Sequence, residues 1–366
     1  MAKSSRRDFL MQLGAASALT AFGRGVIASD AAPYKVLVVG DSLIWGQGLN
    51  EPDKSYSLTT KWLELHFAGR RSVDLKVKAH SGATIDLAPD DAAKLKQAIG
   101  DSGRTFPSEV NVAFPSMLQQ TETAAKEYQS AGFERGADLV LLTAGITDIS
   151  VEGVLNPYEE SSKLVPLVEE VCHRRVGRLL EHINKFHPDA LIVVVGYYAP
   201  LSPFSSKSKV FNGWLETLKV KSFFQQFVNN PLMRPIVFNK LYKTGIQRSR
   251  VWLSESNRNL GLAVDELNAK AGRRTAVFVP TPITDEIAVE TPKTVLFRMT
   301  KDGHVTDPLF SSRSDECQEA FKEMELWAGT RFSARRCSFA AVGHPDPVGA
   351  RMYADAIIAV LSPLVG

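Results

Sequence analysis

The stretch Val36–Gly48, reading VLVVGDSLIWGQG, decides how this chain is to be read. Its first four residues, Val36 to Val39, form an unbroken and mostly β-branched apolar run. Such a run suits a strand buried on both faces, as in a parallel sheet. Gly40 marks a sharp exit, so Ser42 falls just past the carboxyl end of the strand. Open α/β sheets carry their sites at that edge. Two readings of Ser42 stand here: a nucleophile presented by a strand-end turn, or the N-cap of an ordinary strand-to-helix turn.

Outward from that stretch, strands and helices alternate. Ser57 to Ala68 reads as a helix with Leu58, Trp62 and Leu65 on one stripe. Val73 to Ala79 alternates like a second strand and ends at His80-Ser81-Gly82-Ala83. A helix over Asp90 to Gly100, a proline-interrupted loop over Phe106 to Ser116 and a helix over Met117 to Ser130 follow. Asp138 to Ala144 is a third strand, running into Gly145-Ile146-Thr147-Asp148. Between Ser162 and Phe186 the residues Leu164, Leu167/Val168, Val171, Leu179/Leu180 and Ile183 keep one helical face, with Pro166 tolerated in the first turns. Ala190 to Val195 is a fourth strand, followed by Gly196-Tyr197-Tyr198-Ala199-Pro200.

The section from Ser202 to Arg250 breaks the rhythm and its helical signals are poor. It reads as an insertion, possible as a cap, at the same sheet edge as Ser42; its aromatics Phe204, Phe211, Trp214, Phe223, Phe224 and Phe227 read first as packing residues. Ser254 to Gly272 returns to helix and Thr275 to Val279 is a fifth strand. Pro280 to Arg336 is irregular apart from a helix near Ser314 to Trp327. The last helix starts at Pro347 and turns Met352, Tyr353, Ile357, Ile358 and Leu361 inward. This order predicts an α/β fold, a three-layer α/β/α arrangement with a parallel sheet of about five strands covered on both faces.

Of 366 residues 44% are hydrophobic and 23% charged, as in ordinary globular proteins. The formal charge of +3 comes entirely from Lys3, Arg6, Arg7 and Arg24 set against Asp8. The rest of the chain is neutral and gives no electrostatic argument for nucleic acid or an anionic membrane. Ser5-Arg6-Arg7-Asp8-Phe9-Leu10 resembles the twin-arginine export motif, followed by weakly apolar Leu13 to Phe22 and small residues around Val26-Ile27-Ala28. The resemblance implies a signal peptide over residues 1–31, the twin-arginine export machinery as a partner, and a bacterial periplasmic or secreted protein. Leu13 to Phe22 is too short to span a bilayer, and no other segment approaches the roughly 20 apolar residues required. Of three cysteines, Cys317 and Cys337 can pair after export, leaving Cys172 as a small buried hydrophobe on a helix.

A serine nucleophile needs a base within hydrogen-bond reach and donors aimed at the developing oxyanion. His344, in Gly343-His344-Pro345-Asp346-Pro347, lies immediately before the last helix, which can return it to the edge that carries Ser42. The turns at Ser81-Gly82-Ala83 and Gly145–Asp148 follow strands to that same edge. His304 is a rival base on a loop, His80 packs beside the site, and His66, His173, His182 and His187 sit at helix positions. None has metal-ligand spacing with a carboxylate, so no metal and no cofactor are expected. Asp41 and Asp148 read as turn-holding side chains. Gly100-Asp101-Ser102-Gly103 imitates the serine block of trypsin-like proteases but reads as a turn in an alternating α/β chain, and no Gly-x-Ser-x-Gly elbow occurs.

Four blocks in order resemble the SGNH (GDSL-type) hydrolase superfamily: VVGDSLIWGQGL, AHSGA, AGITD and GHPDPVGARMYADAI. They spread over essentially the whole of residues 32–366, read as one domain with a cap-like insertion around residues 202–250. The pieces LNPY and GYYAP look like a bacterial and fungal branch of that superfamily. The resemblance implies a flavodoxin-like sheet, Ser42 as nucleophile, His344 as general base, and the amides of Ser42 and Gly82 as oxyanion donors. A third donor, asparagine in the superfamily, falls here at Thr147, whose hydroxyl is shorter. Where many relatives carry an aspartate three residues before the histidine, this chain has Ala341. Asp346 reads instead as the N-cap of the last helix, because Pro347 suits the first helical position. His344 is then left to a backbone carbonyl, water or a distant carboxylate such as Asp302.

The implied activity is hydrolysis of a carboxylic ester, carried on a small molecule, glycan or lipid, through a Ser42 acyl-enzyme. Two alternatives accompany it: a glycan O-acyltransferase on the same fold, and a non-catalytic carbohydrate- or lipid-binding relative. A nucleotide-binding reading of Gly40, Gly46 and Gly48 fails because Glu51 takes the third glycine position.

Overall fold

The computed structural model describes residues 32–90, 93, 105–156, 158–210, 234–300, 302–323 and 333–365. The expected signal peptide, nearly all of the helix expected over Asp90–Gly100, the Gly100–Gly103 turn and the aromatics from Phe211 to Phe227 lie outside those residues.

Five parallel strands form the sheet: β1 (Tyr34–Gly40), β2 (Val73–Val77), β3 (Leu139–Thr143), β4 (Leu191–Val195) and β5 (Ala276–Val279), in the order β2-β1-β3-β4-β5. The first strand in sequence is thus flanked on both sides, and every one of its residues is buried. Val36 to Val39 are each 0% exposed. Full burial of one such side chain stabilises by about 1.5–3 kcal/mol, which explains why the run carries no polar residue. Helices cover both faces. On one lie α2 (Ser55–His66) and the last helix, α11 (Pro347–Leu361); on the other lie α3 (Met117–Ser130), α7 (Val176–Phe186) and α8 (Arg234–Ala271). This is a three-layer α/β/α architecture. The shorter helices are α1 (Ser42–Trp45), α4 (Ile146–Ile149), α5 (Val151–Val154), α6 (Leu164–Val168), α9 (Phe310–Glu323) and α10 (Ala334–Ser338).

Three expectations change. The inward face of α2 is Tyr56, Thr59, Thr60 and Leu63, while Leu65 is 70% exposed and Leu58 and Trp62 are half-buried. Thr59 can be buried because its hydroxyl donates to the carbonyl of Ser55 at 2.8 Å. The Ser162–Phe186 segment is helical but not uniform: a π-helical stretch, Glu169–Arg175, joins α6 to α7, and Leu167 faces solvent. The largest change concerns Ser202–Arg250, whose last 17 residues belong to the 38-residue helix α8 rather than to irregular chain. The buried face of α8 includes Arg248, Ser249, Ser256 and Asn259, so its helical period is carried partly by polar residues. Arg248 is buried without a carboxylate and donates to the carbonyls of Gly153, Val154, Glu159 and Glu160. Cys317 and Cys337 form a disulfide between α9 and α10, and Cys172 is free and buried.

Candidate active site

The β1–α1 turn is built around two special residues. Gly40 has φ +142°, and a Cβ there would lie 2.4 Å from the carbonyl oxygen of Thr143, so only glycine lets β1 end against β3. Asp41 follows as the N-cap of α1, its carboxylate accepting from the Leu43 amide at 3.0 Å. The same carboxylate accepts from the Thr143 hydroxyl at 2.7 Å and from the buried hydroxyl of Tyr197. Asp41 is therefore the turn-holding residue expected, with two further donors from β3 and from the end of β4. Burial pushes its carboxyl above the usual range, against the three donors, while burial and Asp41 push the Tyr197 phenol well up. Gln120 clamps the strand end from α3, accepting from the Gly40 amide at 2.8 Å and donating to the Gly40 carbonyl at 3.2 Å.

Ser42 opens α1 and is 6% exposed. His344 meets it from a position 302 residues away, Nε2 lying 2.7 Å from Ser42 Oγ. Several main-chain bonds fix that ring. The Phe297 amide donates to the His344 carbonyl at 2.8 Å, the Gly343 amide to the Phe297 carbonyl at 2.9 Å, and the His344 amide to the Ala341 carbonyl at 2.9 Å. The Tyr198 hydroxyl also donates to the carbonyl of Gly343. Asp346 caps α11, accepting from Val348 at 2.9 Å and Gly349 at 3.0 Å, as its place before Pro347 predicts. Asp302 and His304 lie exposed on a separate turn. When Nε2 accepts from Ser42 the ring proton sits on Nδ1, which is buried and makes no well-formed hydrogen bond among the described residues, with the carbonyls of Ala341, Ala340 and Val342 beside it. Burial, and next the Arg313 charge, push the imidazole down to about 4, partly offset by the carbonyls of Ala341, Ala340 and Val342. At neutral pH His344 is therefore an uncharged base.

The second and third blocks converge on the same edge. Gly82 has φ +78°, and the backbone of Val112 and the side chain of Asn111 pack where a Cβ would stand. Neither the Ser42 amide nor the Gly82 amide has an acceptor among the described residues. Asp148 ties the blocks together, accepting from the Ile85 amide at 3.3 Å and from Arg175 at 2.6 Å. Thr147, expected as the third oxyanion donor, lies beside the second block, its hydroxyl donating to the carbonyl of Ala83 at 2.5 Å.

His80 packs beneath the Ser81–Gly82 turn between the carbonyls of Ser81 and Phe106, and burial lowers its basicity. The remaining histidines bind structure: His66 the Val365 carbonyl, His173 Glu266, His182 Glu122 and His187 the Ala137 amide. No group of side chains among the described residues could hold a metal ion. No helix among them is long and apolar enough to cross a membrane.

Sequence reading missed Tyr197 as the partner of Asp41, and it missed a buried ionic cluster of Arg313, Asp307 and Glu109. The GYYAP block was the available signal for Tyr197. The cluster joins residues up to 204 positions apart, and Arg313 sits among serines and an aspartate that hide its burial.

Neither the protein-family models nor the curated proteins contain a match to this chain. Among solved structures it is similar to an extracellular lipase from Streptomyces rimosus, at 12% identity over 89% of this chain and 98% of that one, with a TM-score of 0.44. It is also similar to a phospholipase A1 from Streptomyces albidoflavus, at 12% identity over 89% and 99% of the two chains, with a TM-score of 0.40. A family 3 carbohydrate esterase from Clostridium thermocellum gives 14% identity over 92% and 100%, with a TM-score of 0.37.

Proposed function

We propose that this protein is a serine hydrolase of carboxylic esters working through a Ser42–His344 dyad. The observation that carries the reading is the 2.7 Å approach of His344 Nε2 to Ser42 Oγ at the carboxyl end of the central strand. Ser42 Oγ attacks the ester carbonyl and gives its proton to His344 Nε2. The amides of Ser42 and Gly82, which have no other acceptor among the described residues, donate to the oxyanion. The tetrahedral intermediate collapses, the C–O bond to the alcohol breaks, and His344 returns the proton to the departing alkoxide. Water then loses a proton to His344 and attacks the acyl-enzyme, which releases the acid and restores Ser42.

The imidazole is uncharged at neutral pH and so able to accept the serine proton, at a lower driving force than an ordinary histidine, and Thr147 is the third oxyanion donor when its hydroxyl turns from the Ala83 carbonyl. The substrate is an ester on a small molecule, a glycan or a lipid, met after export behind a signal peptide over residues 1–31. The buried Cys317–Cys337 disulfide supports an oxidising destination.

Hydrolysis of a short-chain aryl ester by the protein, with Ser42→Ala as control, tests the reading. The variant is expected to lose at least about 10³-fold in kcat while keeping the wild-type unfolding transition. Full turnover by the folded Ser42→Ala variant would falsify the assignment.

A further inference from the structure

The most heavily connected charge cluster in the described molecule lies behind the dyad and takes no part in the steps above. Arg313, on α9, is 0% exposed. It donates from both terminal nitrogens to the carboxylate of Asp307 at 2.8 Å, from Nη1 to Glu109 at 3.1 Å, and from Nε to the carbonyl of Ser338 at 3.1 Å. Glu109 in turn accepts from the Trp45 indole at 2.9 Å, the Gln47 amide side chain at 2.9 Å and the Gly48 main chain at 3.2 Å. One guanidinium therefore ties the segment that leaves Ser42 to the segment that leads into His344. Through Glu109 it holds the turn that leaves Ser42, and through Ser338 it holds the chain that turns into His344.

We propose that Arg313 is the positioning residue of the Ser42–His344 dyad, supplying the alignment that a carboxylate on His344 would otherwise give. The proposal rests on the dyad reading above. Two observations carry it beyond a structural ion pair. First, His344 Nδ1 makes no well-formed hydrogen bond to a side chain among the described residues. Second, the space where that carboxylate would stand belongs to the cluster. Gly48 is packed so closely that a Cβ there would lie 2.8 Å from the Cβ of Ala341 and 2.9 Å from the Cβ of Asp307. An acid at position 341 would sit against Asp307, and two carboxylates in one dry space repel. Burying an arginine and two carboxylates is costly, and apolar residues of equal volume commonly serve stability as well. Apolar residues do not give three directional tethers from one planar group.

The arrangement leaves an electrostatic mark that a triad would not. A triad carboxylate stabilises imidazolium; a nearby guanidinium disfavours it. Arg313 is the charged group acting on His344, whose other polar neighbours are the Ser42 hydroxyl and the carbonyls of Ala341, Ala340 and Val342. Tyr198 reaches the adjacent Gly343 carbonyl, Asp346 is turned into the α11 cap, and Asp302 and His304 are solvent-exposed. Burial first, and this guanidinium next, keep the base uncharged into mildly acidic media.

The test uses the full-length protein, following His344 by nitrogen-edited NMR alongside aryl ester kinetics. In the wild type the imidazole is expected to titrate at about 4, and a midpoint near the usual histidine value of about 6.5 overturns the proposal. Arg313→Met combined with Asp307→Leu exchanges the pair for apolar groups. It is expected to lower kcat about 10²-fold with KM little changed and to move the midpoint upward. Arg313→Lys keeps the charge but loses the fork, so kcat falls while the midpoint stays low. A folded double variant with wild-type kcat and midpoint, or Arg313→Lys with wild-type kcat, refutes the positioning role. Should the double variant not fold, the lysine variant and the wild-type midpoint decide. A wild type that neither hydrolyses esters nor labels at Ser42 with a fluorophosphonate refutes the dyad reading instead, and the NMR midpoints still report on the Arg313 charge.

Discussion

Replacing Tyr197 by phenylalanine removes one hydroxyl and tests how the Ser42 turn is held. Asp41 is 0% exposed, and its second carboxylate oxygen takes the Tyr197 hydroxyl. A hydrogen bond to a charged group is worth about 1.5–3 kcal/mol, whereas one between neutral groups is worth about 0.5–1.5 kcal/mol. Tyr197→Phe is therefore expected to destabilise the fold by about 2 kcal/mol where Asp41 is ionised and by about 1 kcal/mol where it is protonated. The direction with pH follows from linkage. Burial already raises the Asp41 carboxyl above its ordinary value, so stability from this group falls as pH rises from about 4 through the folded value. Loss of the phenol raises the folded value further, which makes that fall larger in the variant. The gap between wild type and Tyr197→Phe should accordingly narrow, and never widen, on acidification from pH 7 to about pH 4, as Asp41 takes up its proton. Urea unfolding at the two pH values measures it. Coincident midpoints at pH 7, or a gap that widens towards acid, would refute the account of Asp41 as a buried carboxylate dependent on this donor.

Asp346→Ala removes the acceptor for two amides at the start of α11 and should cost about 1 kcal/mol. The acid limb of the pH–rate profile should not move, since this carboxylate faces the helix rather than His344; a shifted limb would return Asp346 to the catalytic machinery. Ala341→Asp, which puts an acid three residues before His344, is expected to lose about 3–5 kcal/mol, because the new carboxylate meets Asp307 in a closed space. Thermal unfolding checks it, and a stable variant with raised kcat would show that room for a triad acid exists after all.

Local pattern was enough for the sheet. Val36 to Val39, Leu139 to Leu142 and Ile192 to Val195 are apolar on both faces because both faces are covered, so their burial is written in consecutive residues. Met117–Ser130 was equally legible, since Ser116 and Gln119 form a capping box at its start. Ser42 and His344 could be paired before the structure because each sits where a strand or helix boundary is forced, by Gly40 and by Pro347. The helix over Arg234–Ala271 was read as irregular up to Arg250, because Arg248 and Ser249 occupy its buried face at positions where a pattern search expects apolar side chains. Their burial depends on carbonyls of the 153–160 segment and on the Leu201 amide. The Arg313 cluster was invisible for the same reason. A charge is tolerable in the interior only through partners remote in sequence, and remoteness is what a local pattern does not encode.

The interior place of β1, between β2 and β3, has a consequence for a chain emerging from the ribosome. The nucleophile is made first, but its strand cannot be flanked on both sides until β3 has followed, roughly a hundred residues later. The base arrives another two hundred residues on, at the threshold of α11, and docks through the Phe297 backbone. A growing chain thus carries a serine without a proton acceptor for most of its synthesis. On the proposed Ser42–His344 reading, ester cleavage is withheld from partial products until the last helix seats against α2.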